Sequence, residues 1–245
     1  MGGIMGKIIQ VKISKGGVGK TFLTIQVASL LAALEKKVII LTTDPQNDVF
    51  GMLKGEITEE MCDRGLKEAV LHNTDYEVLS LRKNLYYIPL EFDGYFSSEF
   101  FKRLPKFLLR LREEYDYIFI DSNPTPRTDK AFLELSDYVI IPTIGSSRSI
   151  QGLVSVLDTV NPNKILAIVF NQFKNTKLQM EVYQELKKHC ISMNRENMLT
   201  EPIPYIAFIE ELVAKRKTIW ESKSKKIMIA QSIIMKIVEK ISLKG

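Results

Sequence analysis

Short apolar runs alternate with longer amphipathic stretches along most of the chain. The runs have the length of β-strands, and several are apolar at consecutive positions, which is typical of strands covered on both faces. The predicted strands are residues 7–13, 37–42, 85–90, 117–120, 138–141 and 165–170, with a weaker segment around 199–203. The longer stretches predict helices at residues 21–34, 98–112, 150–160 and 178–189.

This alternation of strand and helix predicts an α/β fold, a doubly wound and mainly parallel sheet flanked by helices. The chain has 245 residues, which is long enough for one domain with a well-filled core. No linker rich in proline, glycine or serine interrupts the pattern. We therefore expect a single domain over residues 1–245.

The composition excludes several classes of protein. The two cysteines, Cys62 and Cys190, are far apart, which argues against a disulfide framework or a zinc site and suits a reducing cytosol. No apolar stretch approaches the roughly 18 residues that a membrane span needs. The N-terminus also lacks the basic and then apolar order of a signal peptide. We therefore expect a cytoplasmic protein.

The net charge of +5 is placed unevenly along the chain. Residues 174–245 hold 14 Lys and Arg against 8 Asp and Glu, whereas residues 1–173 hold 20 against 21. A basic face in the last third can meet a phosphate backbone or an anionic lipid surface. A solvated, lysine-rich surface is the alternative that this observation leaves open.

The segment SKGGVGKTF, residues 14–22, nearly matches the phosphate-loop pattern G-x-x-x-x-G-K-[ST] of P-loop NTPases. It lies between a predicted strand and a predicted helix, as the motif requires. Its three glycines allow a tight turn that aims backbone N–H groups at an anion. Lys20 is expected to reach the β- and γ-phosphates, and the Thr21 hydroxyl is expected to bind Mg²⁺.

Two carboxylates follow predicted strands and complete a nucleotide site. Asp121 ends the run YDYIFID, at the sheet edge where ligands of such folds bind, and is expected to hold the Mg²⁺ shell through water. Asp44 ends the run VIILTTD, where a carboxylate can face the γ-phosphate and position the attacking water. The alternative for Asp44 is a turn residue before proline.

Together these segments resemble the ParA/MinD family of deviant Walker A ATPases. The resemblance rests on K-G-G-V-G-K-T at residues 15–21, D-P-Q at 44–46 and D-x-x-P at 121–124, and weaker similarity continues through IVFNQF and EPIPYIAF. It implies a Mg²⁺-dependent ATPase, slow without its partner, with Lys15, Lys20 and Asp44 as catalytic residues. The nucleotide-binding residues that it implies are Lys15, Gly16, Gly17, Val18, Gly19, Lys20, Thr21, Phe22, Asn171 and Pro204, with Thr21 and Asp121 at the metal.

The resemblance also implies a role for the second lysine of the loop, Lys15. In the family this lysine reaches across a face-to-face homodimer to the phosphates of the nucleotide that the partner subunit binds. A triphosphate carries about three to four negative charges, so a cation arriving from the second subunit couples ATP binding to dimerisation.

The chain departs from the family pattern at several positions. Thr42 and Phe22 stand where the family usually has aspartate and threonine, and Asn47 stands where glycine typically follows D-P-Q. Tyr205 and Phe208 occupy positions of arginines that often bind DNA in the family. Non-specific DNA binding is therefore expected from other basic residues, for which the candidates are Lys174, Lys177, Lys215, Arg216, Lys217 and Lys223.

The function that the resemblance implies is segregation of plasmid or chromosomal DNA. The ATP dimer would coat the nucleoid, and a ParB-like centromere-binding adaptor would stimulate hydrolysis and release it. The alternatives are a MinD-like membrane-associated ATPase, a cargo-positioning ATPase and a binding module that binds ATP without turnover. Since the C-terminal stretch 225–245 is too uniformly apolar for an interfacial anchor, it is expected to be a core helix, and membrane binding is not expected.

Overall fold

A single sheet organises the computed structural model, which describes residues 5–12, 16–72, 76–123 and 125–244. Within these residues seven strands are ordered β3-β4-β2-β5-β1-β6-β7, and each pair is parallel except β3 with β4. The strands are β1 Lys7–Val11, β2 Val38–Thr42, β3 Leu79–Arg82, β4 Leu85–Ile88, β5 Tyr117–Asp121, β6 Tyr138–Thr143 and β7 Ile165–Phe170. The predicted α/β fold class is confirmed.

Helices cover both faces of the sheet. In the described residues they are α1 Lys20–Ala33, α2 Asp48–Leu53, α3 Glu59–Cys62, α4 Leu66–His72, α5 Ser98–Glu114, α6 Pro126–Leu135, α7 Ser147–Thr159, α8 Lys177–Ser192, α9 Ala207–Ala214 and α10 Met228–Leu243. The side chains of alternate β1 residues show the two layers. Ile9 and Val11 pack in the cluster that contains α1 and α10, whereas Ile8 packs in the cluster that contains α5.

The structure corrects the sequence prediction at two edges of the sheet. The hairpin strand β3 was not predicted, because only one side of this short edge strand is paired and its apolar pattern is weak. The segment 199–203 was predicted as a strand but makes only the isolated bridge Ile168–Leu199, and Pro204 directly after it makes a second isolated bridge with Phe173. Proline at 202 and 204 lacks the N–H that a continuous ladder needs.

The C-terminal helix α10 is part of the core, as the sequence predicted. Ala230, Ile233, Ile234, Ile237 and Ile241 are buried on one side of it, in the cluster shared with α1. Across the described residues, no helix combines the length and apolar character that crossing a bilayer requires.

We predict that Ile237→Ala lowers the free energy of unfolding by about 2–5 kcal/mol, because Ile237 is fully buried and its loss leaves a cavity. The matched control is Ile229→Ala on the same helix, where the side chain is 61% exposed, and we expect a change below about 0.5 kcal/mol. Urea unfolding followed by circular dichroism measures both. Equal effects would show that α10 is not packed on the sheet in solution.

Candidate functional site

The loop before α1 has the shape of an anion cradle in its described part, residues 16–19. Gly17 and Gly19 adopt positive φ angles of 73° and 91°, which favour glycine. Gly19 is the N-cap of α1, and a Cβ placed there would lie 2.2 Å from Asn171 Nδ2. Both the backbone conformation and the close approach of Asn171 therefore require glycine at position 19.

The side chain of Asn171 contacts the backbone of this loop from its buried side. It follows β7, where its backbone N–H donates to the carbonyl of Thr143 at 2.7 Å. Its side-chain amide donates to the carbonyl of Val18 at 3.0 Å. The Val18 side chain is buried in the core beneath β6 and β7 rather than facing the loop's open side. Position 18 thus contributes its backbone, and Asn171 fixes that backbone from behind.

Asp121 is a buried carboxylate at the end of β5, beneath the first turn of α1. The Thr21 hydroxyl donates to Asp121 Oδ2 at 2.9 Å, and Thr24 Oγ1 lies 3.4 Å from Asp121 Oδ1. Burial raises the pKa of Asp121 to about 6, although the Thr21 hydrogen bond and the charge of Lys20 act to lower it. A divalent cation at this carboxylate would favour its ionised form.

The charges of three carboxylates act on Lys20. Burial lowers its pKa below the usual value, while Asp121, Asp44 and Asp129 act in the opposite direction by their charge. The first residue of α1 thus carries a cation at the positive end of the helix dipole. Such a group can attract a polyanion into the cradle.

Asp44 lies in a turn between β2 and α2. Its Oδ1 accepts a hydrogen bond from the N–H of Gln46 at 3.1 Å, and its own N–H donates to Thr42 Oγ1 at 3.1 Å. Thr42 is fully buried and pairs with Asp121 in the β2–β5 register. The family's aspartate at this position would place a further carboxylate beside Asp121, so threonine reduces the negative charge here.

Asn47 stands directly after D-P-Q, where the family typically has glycine. It adopts a positive φ of 52°, which asparagine tolerates better than most residues. Its buried Oδ1 accepts from the hydroxyl of Tyr87 at 2.7 Å and from the N–H of Leu90 at 2.8 Å, and its Nδ2 donates to the carbonyl of Leu90 at 2.9 Å. These hydrogen bonds connect the turn after Asp44 to the end of β4 and to Leu90 just beyond it.

Two adjoining cavities open at the carboxyl edge of the sheet. The polar one, about 390 Å³, is lined by Gly16, Gly17, Gly19, Lys20, Thr21, Phe22, Asp44, Asp48, Met52, Asp121, Ser122 and Gln172. The mainly apolar one, about 400 Å³, is lined by Gly19, Phe22, Met52, Asn171, Gln172, Ile203, Pro204, Tyr205, Ile206, Ile209, Glu210, Val213 and Ala214. Because a polar and an apolar cavity adjoin, the pair suits a ligand that has a phosphate tail and an aromatic base.

The structure brings most of the expected site residues to these two cavities. Lys20, Thr21, Asp44 and Asp121 meet in the polar cavity, whereas Asn171 and Pro204 line the apolar one. Lys15, the second lysine of the loop, lies outside the described residues. Sequence reasoning gave no site role to Thr24, Asp48, Met52 or Gln172. Thr24 could have been identified, because it lies three residues after Thr21 and helical spacing places both side chains on the same side of α1.

The donor set around Asp121 fits Mg²⁺. A hydroxyl and a carboxylate, Thr21 and Asp121, are hydrogen-bonded to each other at the base of the polar cavity. Hard oxygen donors of this kind suit Mg²⁺, which is commonly held by one or two protein ligands together with water and phosphate oxygens. The residues present are thus compatible with a magnesium nucleotide.

The six basic candidates for DNA contact are all exposed, but the structure divides them. Lys174 Nζ lies 4.9 Å from the ring centroid of Tyr205, and Lys177 begins α8. Lys215, Lys217 and Lys223 follow α9. Arg216 differs from these, because its Nη1 donates to the carbonyl of Lys54 at 2.9 Å and its φ is 57°. Arg216 thus joins the segment after α9 to the end of α2.

The chain is similar to known proteins in sequence and in fold. A family model described as an AAA domain, AAA_31, matches residues 6–179. The sporulation initiation inhibitor protein Soj of Bacillus subtilis is 30% identical over 208 residues, covering 76% of this chain and 80% of Soj.

Two solved structures share the fold over nearly the whole chain. The ATP complex of a McdA variant from Cyanothece superposes with a TM-score of 0.80 at 17% identity, covering 98% of both chains. A plasmid partition protein from Borrelia burgdorferi bound to AMPPNP gives a TM-score of 0.73 at 23% identity, covering 98% of this chain and all of the other.

We predict that Asp121→Asn raises the melting temperature of the nucleotide-free protein at pH 7–8. The folded pKa of about 6 exceeds the unfolded value of about 3.9, so the folded state binds the proton more tightly. Wild-type stability therefore falls as the pH rises from about 4 to about 6, and the asparagine variant escapes this loss.

The measurement is the difference in melting temperature between variant and wild type at half-unit steps from pH 4 to pH 8. The difference is expected to be positive at neutral pH and to shrink towards pH 4. Asp158→Asn, at an exposed position on α7, controls for the loss of one negative charge. A difference for Asp121→Asn that does not vary with pH would contradict the assignment.

Proposed function

The chain belongs to the ParA/MinD family of ATPases, and on this premise we propose that it is a dimerising ATPase that segregates plasmid or chromosomal DNA. The observation that carries the proposal is the pair of joined cavities, one polar with Lys20, Thr21, Asp44 and Asp121, the other apolar and of a size for a nucleobase. The substrate is ATP, which is hydrolysed to ADP and phosphate.

The polar cavity supplies the groups that phosphoryl transfer needs. The backbone N–H groups of residues 16–21 and the α1 dipole bind the phosphates, and Lys20 contacts the β- and γ-phosphates. Thr21 and Asp121 would hold Mg²⁺. When bound, Mg²⁺ neutralises part of the charge that develops on the phosphates.

Asp44 orients the attacking water. Its carboxylate lines the same cavity as Lys20 and accepts a hydrogen bond from the N–H of Gln46, which favours one orientation of the side chain. The turn that carries it is fastened by Asn47 to β4. A carboxylate held in this way can polarise a water in line with the γ-phosphate without large rearrangement.

Dimerisation is the step that ATP controls. The triphosphate carries more negative charge than Lys20 and one Mg²⁺ neutralise, and Lys15 of a second subunit supplies the remaining cation. Hydrolysis removes the γ-phosphate and with it the ligand that joins the subunits. A ParB-like adaptor stimulates this step.

We predict that Asp44→Ala binds ATP, hydrolyses it at least about tenfold more slowly, and accumulates as a dimer, because the γ-phosphate persists. Adding Lys15→Ala to this variant is expected to leave ATP binding largely intact and to return the protein to the monomer. Size-exclusion chromatography with light scattering, run with ATP, ADP and no nucleotide, measures the state of both.

Lys20→Ala in the Asp44→Ala background is the control that removes nucleotide binding itself. A Lys15→Ala/Asp44→Ala protein that still dimerises with ATP would refute the role of Lys15. An Asp44→Ala protein with wild-type turnover would remove Asp44 from the mechanism. Wild-type protein that binds no ATP would refute the proposed function.

DNA binding by the ATP dimer completes the proposed cycle. Dimerisation doubles any basic surface, and phosphate contacts by lysine are independent of sequence and sensitive to salt. Lys215, Lys217 and Lys223 form the exposed group after α9, and Lys174 and Lys177 add charge near Tyr205. The bound form would be associated with the nucleoid.

We predict that replacing Lys215, Lys217 and Lys223 by glutamate weakens ATP-dependent binding to random duplex DNA by at least about tenfold and reduces its salt dependence. Arg216 is left in place because it contacts the carbonyl of Lys54. The control reverses three exposed lysines on α5 and α6, Lys102, Lys106 and Lys130. Equal DNA binding by the two triple variants would refute the assignment of this patch.

A cargo-positioning ATPase is the second candidate. It is favoured by Tyr205 and Phe208, which replace arginines of DNA-binding family members. Such a protein would use the same nucleotide site and differ in its partner. ATP-dependent dimerisation without any DNA binding by the wild-type protein would favour it over DNA segregation.

A further inference from the structure

Arg82, the last residue of the edge strand β3, joins two segments that are distant in the sequence. Its Nη2 donates to the carbonyl of Arg216, just after α9, at 2.7 Å. Its Nη1 lies 3.4 Å from the carbonyl of Leu53, the last residue of α2. The side chain is 30% exposed and also pairs with Glu221 at 3.3 Å. One half-buried guanidinium therefore contacts the ends of both α2 and α9.

Arg216 makes a second connection between the same two segments. Its Nη1 donates to the carbonyl of Lys54 at 2.9 Å, and its backbone N–H donates to the carbonyl of Val213 in α9 at 2.8 Å. A Cβ added to Gly55 would lie 2.6 Å from the Arg216 guanidinium carbon, so a side chain there would displace the guanidinium. The arginine pair, Arg82 and Arg216, thus connects α2 with α9 twice.

The backbone conformation of Arg216 is unusual for a residue with a long side chain. Its φ of 57° lies in the left-handed region, which glycine and asparagine adopt most easily. The backbone therefore does not favour arginine at this position. The contacts of its guanidinium with Lys54 and Gly55 give the arginine a structural role instead.

The two connected helices form opposite parts of the wall of the apolar cavity. Met52 of α2 lines both the apolar and the polar cavity, and Ala214 of α9 lines the apolar one. Lys54 comes two residues after Met52, and Arg216 comes two residues after Ala214. The contacts of the arginine pair therefore lie within two residues of the cavity wall on each helix.

The helix α2 has only six residues and packs on one side. Leu53 is buried in the core, whereas Gly51 lines a third cavity of about 450 Å³, which Arg216 also lines. The N-cap residue of the helix, Asn47, binds Leu90 beyond β4. Core packing thus restrains one side of α2, and hydrogen bonds of Asn47 and of the arginine pair restrain its two ends.

We propose that Arg82 and Arg216 are positioning residues for the nucleoside end of the bound nucleotide, because they hold the α2 wall of the apolar cavity against the α9 wall. This inference rests on the proposed nucleotide site. Without the arginine pair, α2 moves more freely and the apolar cavity does not keep one width. Nucleoside binding then weakens, whereas the phosphates keep their contacts with the loop before α1.

The test compares Arg216→Gly and Arg82→Met with the wild-type protein. The first readout is amide hydrogen exchange of a peptide that covers α2, measured by mass spectrometry on the nucleotide-free protein. Both variants are expected to exchange at least about threefold faster in this peptide, because local opening of α2 becomes easier. A peptide from α5 is expected to exchange at the wild-type rate.

Glycine at position 216 separates positioning from stability. It removes the side-chain contacts but also relieves the left-handed backbone conformation, and these two effects on stability have opposite signs. The melting temperature is therefore expected to change by less than about 3 °C. Arg82→Met, which keeps an apolar stem, tests the same connection from β3 if Arg216→Gly does not fold.

The second readout compares the dissociation constants for Mg²⁺–ATP and Mg²⁺–tripolyphosphate, both measured by titration calorimetry. Each variant is expected to weaken ATP binding by at least about fivefold and to change tripolyphosphate binding by less than about twofold. Loss of a distant positive charge would weaken both ligands to a similar extent, since both are polyanions. A loss confined to ATP therefore reports on the nucleoside end.

Two control variants match the two substitutions. Arg103→Met removes an exposed arginine on α5 whose Nη1 donates to the carbonyl of Leu71 on α4. Asn194→Gly changes an exposed residue with a φ of 54° just after α8, as Arg216 lies just after α9. Neither residue is among the described residues that line the polar or the apolar cavity. Both controls are expected to leave α2 exchange and the ratio of the two dissociation constants unchanged.

The outcomes separate this inference from the proposed function. If Arg216→Gly and Arg82→Met leave α2 exchange unchanged, or change ATP and tripolyphosphate binding equally, the inference is wrong. It is also wrong if Arg103→Met shifts the ratio as much as they do. If the wild-type protein binds no ATP, the proposed function fails, while α2 exchange still decides whether the arginine pair holds this helix.

Discussion

The buried carboxylate of Asp121, set against Thr21 and Lys20 at the start of α1, is the interaction on which the site depends. Burial makes its negative charge costly, since its pKa is raised to about 6. A cation and a hydroxyl compensate from α1, and a magnesium nucleotide would compensate more fully. The site therefore contains a buried carboxylate at some cost in stability, which a bound cation would offset.

The surrounding elements keep this arrangement in place without relying on the ligand. Asn171 fixes the loop from behind through Val18, and Asn47 fastens the Asp44 turn to β4. On the opposite side, Lys12 and Gln10 hold Asp129. Each of these contacts uses a buried polar side chain whose hydrogen bonds reach across the sheet or between its layers, so the core supports the residues that line the polar cavity.

Basic residues that are adjacent in the sequence have different surroundings in the structure. The sequence groups Lys215, Arg216 and Lys217 as one run, but the structure joins Arg216 to the carbonyl of Lys54 on the end of α2. Arg216 thus connects the segment after α9 with the helix that follows the Asp44 turn.

The sequence by itself determined the α/β alternation, the phosphate loop and the carboxylates Asp44 and Asp121, because these depend on local spacing and on the common edge where parallel strands end. It did not reveal that Gln10 and Lys12 bind Asp129, and it missed the edge strand β3. Gln10 and Asp129 are separated by 119 residues. Only tertiary structure decides which distant side chains meet, because packing of helices on the sheet, and not neighbouring residues, provides their partners.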